Sequence, residues 1–134
     1  MTKDDTELFL KDLCARLPYG VKGRYNNMVM SLRMIDPFDN YRPLYCANNS
    51  GSEYADVDEF KPYLFPMSSM TEEQKKEYDS IIYHDVELHC ERYYNVIDVD
   101  CYEELHDFFH KNHLDYRGLI EKGLAIDATG LNIY

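Results

Sequence analysis

The feature that most constrains this fold is a change of hydrophobic period around Pro18. Before it, between Phe9 and Leu17, apolar residues recur at the three- and four-residue spacing of a helix. After it, from Val21 to Met34, apolar and polar residues largely alternate, as in a strand with one buried face. Pro18-Tyr19-Gly20 separates the two patterns, because proline disfavours a helical residue before it and glycine accepts the turn. A helix followed directly in the sequence by antiparallel strands predicts an α+β fold.

The first half is expected to be one helix followed by an antiparallel meander. Asp4-x-x-Glu7 has the form of a capping box with Asp4 at the cap, so the helix is predicted over 5–17. A short strand then ends at Tyr25, and Asn26-Asn27 can make a tight turn. The predicted second strand, in which Met28, Met30, Leu32 and Met34 alternate with Val29, Ser31 and Arg33, is followed by a third strand over 44–47, which the Asn48–Gly51 turn ends.

The rest of the chain is predicted to combine an irregular segment with helices and short strands. Pro62 and Pro66 favour a packed irregular segment over 52–70, and Thr71-x-x-Gln74 opens a second helix to about residue 82. One or two strands are expected within 86–99. A third helix, beginning at Asp100, is expected to pack its apolar stripe on the sheet. A short helix over 116–122 and an edge strand over 124–126 complete a small antiparallel sheet packed against about three helices, in a single domain over 1–134.

Charge is unevenly distributed along the chain, whose formal net charge is −11. Residues 1–67 carry 8 basic and 10 acidic side chains, and residues 68–134 carry 6 and 15, so the second half accounts for −9. An acidic face around the second and third helices is therefore expected. Such a field repels phosphate backbones and anionic headgroups, so direct nucleic-acid or membrane binding is disfavoured.

The remaining composition favours a cytoplasmic protein with free thiols. No apolar stretch approaches the roughly 20 residues of a membrane span, and no apolar segment of a secretory signal follows the charged start. Four scattered cysteines form no C-x-x-C pair, and they are expected to be reduced and mostly buried, with two of them on apolar helix faces. These two are Cys14 and Cys101.

Three histidines on or just after the third helix form the candidate metal site. His106 and His110 are four residues apart, so their imidazoles can share one helix face and chelate a transition metal together with His113. The glutamate of an H-E-x-x-H motif is missing. All three lie away from the apolar stripe, so solvated surface histidines are the competing interpretation, and no cofactor is expected. One functional hypothesis is a small metal-assisted enzyme using His106 and His110 with a remote carboxylate.

Thirteen tyrosines and no tryptophan favour a protein-interaction role. Tyrosine suits half-buried positions at which its ring packs and its hydroxyl meets water or a partner. Tyr93, Tyr94 and Tyr45 are the candidate interface residues, with rings that merely cap the core edge as the alternative. Glycine-rich phosphate loops and a serine-hydrolase motif are absent from the sequence. The hypothesis is thus a non-enzymatic interaction or accessory protein with a protein partner.

Two further hypotheses concern the surface. The acidic second half could mimic nucleic-acid charge and inhibit a basic protein, an interaction that moderate salt would abolish. The segment 124–126 could instead pair with its symmetry mate as an edge strand, giving a homodimer with a structural role.

Three segments resemble a group of short proteins encoded by gut bacteria and their phages or mobile elements. They are residues 8–20, 61–73 and 112–125, the second reading Lys61-Pro62-Tyr63-Leu64-Phe65-Pro66 onward. The resemblance implies a compact intracellular or mobile-element protein. It transfers no catalytic residue.

Overall fold

A computed structural model describes residues 1–83 and 99–134 of the chain. The three helices are α1 (Lys3–Arg16), α2 (Glu72–Tyr83) and α3 (Val99–Lys111). The strands are β1 (Val21–Tyr25), β2 (Met28–Ile35), β3 (Leu44–Asn48), β4 (Gly51–Ala55), β5 (Lys61–Pro66), β6 (Leu114–Asp115) and β7 (Ile126–Asp127). Two 3-10 turns, Leu17–Tyr19 and Met67–Ser69, follow α1 and β5. No helix of the described ranges is long and apolar enough to cross a membrane.

The strands form one open, mostly antiparallel sheet, so the α+β prediction is confirmed. Its order is β4-β3-β2-β1-β5-β6, with β7 also paired to β5. The first three strands are the predicted meander, which β4 extends by one strand. Asn26 and Asn27 have the positive φ values of 47° and 63° that suit the tight turn between β1 and β2. Only β6 and β7 pair in parallel, both with β5.

α1 covers one face of the meander and forms the first core with it. Phe9 and Leu13 are fully buried against β1, β2 and β3. The helix begins two residues earlier than expected, because the side chain of Thr2, and not Asp4, accepts the Asp5 N–H at 3.1 Å. It ends at Arg16, one residue before the predicted end, and the 3-10 turn Leu17–Tyr19 that follows ends at Gly20, whose φ is 84°.

A register shift in β2 changes which side chains face the core. Leu32 pairs with Cys46, but the next pair is Met34 with Tyr45, so Arg33 is an extra residue on β2. Met30 and Leu32 are buried, whereas Met34 is 54% exposed. The simple alternation expected from Met28 to Met34 therefore fails at its end, since the bulge turns Met34 outward.

Two strands lie where the sequence predicts turns or irregular structure. β4 pairs with β3 across a turn at Asn48–Gly51, so this turn connects a hairpin and does not end the sheet. The prediction of an irregular segment is wrong for 61–66, which form β5, with Pro62 opposite Gly23 of β1. Proline's fixed φ is compatible with extended backbone, and this permits a strand that contains two prolines.

A second core joins α2, α3 and β6. The predicted capping box is present, since Thr71 Oγ1 accepts the Gln74 N–H at 3.1 Å and Gln74 Oε1 accepts the Thr71 N–H at 2.9 Å. The predicted stripe of α3 is buried in this core, where it meets the sheet at β6 rather than at the meander. The second core consists of Ile81, Ile82, Leu105, Phe108, Phe109 and Leu114.

Two predictions for the rest of the chain have different outcomes. The helix expected over 116–122 is a series of turns, because Gly118 and Gly123 adopt φ values of 74° and 73° that interrupt a helix. The strands expected within 86–99 lie almost entirely outside the described residues.

Candidate functional site

The sheet has one open face, which we call the outer face. α1 packs on the opposite face of the meander, and no outward-pointing residue of β1–β4 is fully buried. The register places these side chains in rows across neighbouring strands. The outer face comprises Lys22, Arg24, Val29, Ser31, Arg33, Met34, Tyr45, Ala47, Ser52, Tyr54 and, from β5, Lys61.

Met34 of β2, Tyr45 of β3 and Tyr54 of β4 form a row across three strands at one end of the outer face, which we call the aromatic row after its two tyrosines. Tyr45 pairs with both Met34 and Tyr54, and the two tyrosine rings lie 4.9 Å apart between centroids. Tyr54 is 54% exposed, the same fraction as Met34. The β2–β3 loop adds Phe38 and Tyr41, which are 91% and 82% exposed. Large apolar side chains on such an exposed face are a signal of an interaction surface.

The β2–β3 loop is held by two aspartates. Asp36 Oδ1 accepts the Phe38 N–H at 3.0 Å, and Asp39 Oδ1 accepts the N–H groups of Tyr41 and Arg42 at 2.9 and 3.0 Å. These backbone hydrogen bonds hold the pKa of the Asp39 carboxyl below its usual value. The exposed rings beside the aromatic row are thus carried by an ordered loop.

The outer face carries cations at its strand positions although the chain is acidic. Among the described residues, Arg24, Arg33 and Lys61 have no carboxylate within 4.0 Å, and none of the outward-facing strand positions is acidic. On the helical side, by contrast, Lys75 and Lys111 are paired with Glu72 and Glu77. The distribution of net charge along the sequence could not reveal the positive charge of the outer face. Successive residues of a strand point to opposite faces of the sheet, so neighbouring charges in the sequence lie on different faces.

The Tyr134 side chain links β1 and β5 next to the last residues that pair between these two strands. Its hydroxyl accepts the Lys22 N–H at 3.0 Å and donates to the Tyr63 carbonyl at 3.0 Å, just beyond the Gly23 and Pro62 pair. The ring stacks on His113 with centroids 3.5 Å apart and planes 12° apart. Burial raises the pKa of the Tyr134 hydroxyl. This side chain therefore bridges two strands that do not bond each other directly at this point.

A buried ionic cluster lies between the two cores. Asp12 and Arg16 are 0% and 1% exposed, and Arg16 Nε donates to Asp12 Oδ2 at 2.7 Å. Arg16 Nη2 donates to the Leu114 carbonyl of β6 at 2.6 Å. Arg117 Nε lies 3.1 Å from Asp12 Oδ1 but is not aligned for a hydrogen bond with it. The cluster ties α1 to the part of the chain that holds the second core.

The buried ionic cluster was not predicted from the sequence, and the burial predicted for Cys14 is wrong. The buried face of α1 contains Phe9, Asp12, Leu13 and Arg16, so an Asp and an Arg four residues apart share the stripe with apolar residues. Cys14 is exposed, which corrects the expectation that it is buried on the apolar face. The sequence signal for the buried ionic cluster was the spacing of Asp12 and Arg16, which are four residues apart and therefore neighbours on one face of α1.

The three candidate metal-binding histidines each have a different partner. The Nδ1 atom of His106 lies 2.8 Å from the Tyr102 carbonyl oxygen, and His110 Nε2 lies 2.8 Å from the Tyr116 hydroxyl. His113 stacks on Tyr134, as described above. Within 1–83 and 99–134, no group of three or more His, Cys, Asp or Glu side chains is arranged to hold a metal ion. The metal site and the metal-assisted enzyme stay predictions.

Burial also sets the ionisation of two of these rings. Loss of hydration, together with the positive charge of Arg16 as the second cause, lowers the pKa of His110 to about 4. Burial and the same Arg16 charge lower the pKa of His113 to about 4. Both rings are therefore neutral at pH 7 in the folded chain.

The other predicted interface residues have mixed placements. Tyr45 lies in the aromatic row, whereas Tyr93 and Tyr94 are outside the described residues. Leu124 and Ala125 of the proposed dimer edge are buried in the first core, and Ile126 pairs with Tyr63 of β5. The homodimer stays a prediction.

Comparison with known proteins brings no further residue assignment. No family model, no curated protein and no solved structure matches this chain.

Proposed function

We propose that this chain is a non-enzymatic interaction protein that binds an acidic protein partner through the outer face. The single observation that carries the proposal is that one open sheet face combines exposed aromatic side chains with cations that have no carboxylate within 4.0 Å among the described residues. Tyrosine, methionine and arginine are enriched in protein interfaces, and tyrosine and arginine are frequent hot spots. The aromatic row supplies the apolar contact, and Arg24, Arg33 and Lys61 supply the charges around it.

Charge complementarity supports an acidic partner. The chain has a formal charge of −11, so a partner that is acidic on average is repelled by most of its surface. The outer face is different, because every formal charge at its strand positions is positive. An acidic partner is therefore directed to one orientation, which is the contribution to specificity expected from complementary charge.

The outer face is also suited to binding without rearrangement. Its side chains stand on paired strands, and Tyr45 and Tyr54 already contact each other. A site on strands of a sheet is held more rigidly than a site on loops, so little conformational entropy is lost when a partner docks.

Site-specific photo-crosslinking tests the proposal. A photoreactive residue replaces Tyr54, and in a matched control it replaces Tyr102 on α3; these tyrosines are 54% and 56% exposed. In extract from the source organism, we expect one discrete acidic protein to be crosslinked from position 54 and not from position 102. The purified partner should then bind the wild-type chain, with affinity reduced at least about tenfold by Tyr54→Ser.

The control position also separates the two interaction hypotheses. Tyr102 is followed on α3 by the exposed Glu103 and Glu104, so an inhibitor that mimics nucleic-acid charge should crosslink a basic protein from there. That result, or equal crosslinking from both positions, would overturn the proposal. Absence of a discrete product from position 54 would overturn it as well.

A further inference from the structure

A cavity at one end of the outer face has an unusual lining for such an acidic chain. It has a volume of about 400 Å³ and lies between the 3-10 turn Leu17–Tyr19, β1, β2 and Tyr134. We call it the basic pocket, because Lys22 and Arg33 are the residues with charged side chains among the described residues that line it. No acidic side chain is among the described residues that line it, although Asp107 accepts a hydrogen bond from the hydroxyl of the lining residue Tyr19.

The two cations are placed to reach one anion. Lys22 is paired with Ser31 across β1 and β2, and Arg33 is two residues farther along β2. Such diagonal neighbours are about 7–8 Å apart in a sheet, which is within reach of long side chains. Ser31 also lines the pocket, and its hydroxyl is an additional hydrogen-bond donor there.

Both cations have donors to spare. Arg33 is exposed and has no carboxylate within 4.0 Å among the described residues. Lys22 Nζ donates one hydrogen bond, to the Ile133 carbonyl at 3.1 Å, and an ammonium group has three donors. That hydrogen bond also holds the ammonium near the Tyr134 ring, 5.8 Å from its centroid. The positive charge at the pocket is thus positioned but not neutralised.

The rest of the lining is apolar or aromatic. Leu17, Pro18, Tyr19 and Tyr134 are among the residues that line the pocket. Tyr19 is 37% exposed, so part of its surface is available for contact. Ligand pockets typically measure about 300–1,000 Å³ and combine apolar walls with a few polar groups, and the basic pocket has this character.

We propose that the basic pocket binds a phosphate monoester attached to a flat ring. A phosphate monoester carries a charge of about −1.5 to −2 at pH 7, which two cations can neutralise better than one can. Arginine also binds phosphate oxygens through two parallel hydrogen bonds. The aromatic and apolar walls would contact the ring. This chemistry is shared by a nucleoside monophosphate and by a phosphotyrosine side chain, and it goes beyond binding of an acidic protein at the aromatic row.

Calorimetric titration of the full chain at low salt tests this site. The ligands are a nucleoside 5′-monophosphate, a phosphotyrosine peptide, inorganic phosphate and the unphosphorylated nucleoside. We expect saturable binding of at least one of the two ring phosphates, weaker binding of inorganic phosphate, and none of the nucleoside. The tighter of the two ring phosphates identifies the source of the phosphate group. Rising salt should weaken binding, since both cations are accessible to solvent ions.

Paired substitutions locate the binding. Arg33→Gln should weaken the affinity at least about tenfold, whereas Arg24→Gln, which removes another exposed cation that does not line the pocket, should leave it nearly unchanged. Arg33→Glu and Arg24→Glu repeat the comparison with a larger charge change. Thermal unfolding of each variant shows that the fold is retained.

Three results would overturn the inference. They are no saturable binding of either ring phosphate at millimolar concentration, equal losses in the Arg33 and Arg24 variants, and inorganic phosphate binding as tightly as the ring phosphates. None of these results bears on crosslinking from position 54, which tests the aromatic row. Failure of this site and failure of the proposed protein interface are therefore distinguishable.

Discussion

Arg16 and Arg33 show how differently the buried ionic cluster and the outer face use the same residue type. Arg16 is 1% exposed, donates to Asp12 and Leu114, and lies in a helix stripe with Phe9 and Leu13. Arg33 is exposed on a bulge and has no carboxylate within 4.0 Å among the described residues. A buried charge must be paired because water no longer solvates it, whereas an exposed charge needs no partner within the chain.

The difference indicates separate roles for the two regions. The buried ionic cluster fixes α1 against β6 and so contributes to the stability and arrangement of the two cores. The outer face contributes little to stability through its charges, which leaves them available for a ligand or partner. The following four predictions test that division, beginning with the largest expected effect.

Asp12→Ala should destabilise the chain by about 3–5 kcal/mol, because it leaves the buried guanidinium of Arg16 without its carboxylate. The control is Arg33→Gln on the outer face, expected to change the free energy of unfolding by less than about 0.5 kcal/mol. Urea unfolding of both variants measures the effect. Similar losses in the two variants would contradict the division of roles.

Acidification should destabilise the fold through the buried histidines. The pKa values of His110 and His113 are lowered by burial from 6.5 to about 4, so the unfolded chain binds protons first as pH falls. The free energy of unfolding should therefore decrease as pH falls below about 6.5, until the folded rings titrate near 4. Arg16, Asp12, Arg117 and His106 surround His110, and Arg16 and Lys22 act on His113.

The variant His113→Phe isolates one of these rings. Phenylalanine keeps an aromatic ring against Tyr134 but cannot bind a proton. Urea midpoints measured between pH 6.5 and about 5, above the ordinary range of carboxyl pKa values, should depend less on pH in the variant. An unchanged dependence would show that His113 does not contribute in this range.

Neighbouring substitutions in β1 compare the two faces of the sheet. Gly23→Ala should destabilise the fold by about 1–3 kcal/mol, because a Cβ there would meet the Phe60 ring and lie 2.7 Å from the Lys61 carbonyl oxygen. Arg24→Ala, one residue on but facing outward, should have little effect. Thermal unfolding of the two variants gives the comparison. A larger loss in Arg24→Ala would contradict the assignment of inner and outer faces.

Tyr134→Phe should cost about 1 kcal/mol, the smallest of the four effects. It removes the hydroxyl that accepts from Lys22 and donates to Tyr63, and leaves both backbone groups to find water. Hydrogen exchange of the Lys22 amide should become faster. Tyr41→Phe, at an 82% exposed position, is the matched control and should change neither property.

Several elements could be predicted from the sequence because their signals are local. The helix and strand periods flanking Pro18, the Asn26-Asn27 turn and the Thr71-x-x-Gln74 capping box all correspond to observed structure. Each of these features depends on residues that are close together in the sequence, so the local sequence is sufficient to predict it. Tyr45 was also identified as a surface tyrosine, but the row that it forms was not.

The parts that could not be predicted depend on residues distant in sequence. Strand β5 forms despite two prolines, because β1, β6 and β7 provide its partners. The bulge at Arg33 appears only when β2 pairs with β3. Arg16 finds its backbone acceptor at Leu114, 98 residues away, and no local pattern specifies that contact.

The sequence by itself determined the α+β class, the meander and the net charge of −11. The tertiary structure alone decided which charges are paired in the interior and which remain unpaired on the outer face. The physical reason is that period and charge are properties of the chain, whereas pairing depends on which strands and helices pack together. A chain acidic overall can in this way present one open face whose strand positions carry only positive charge.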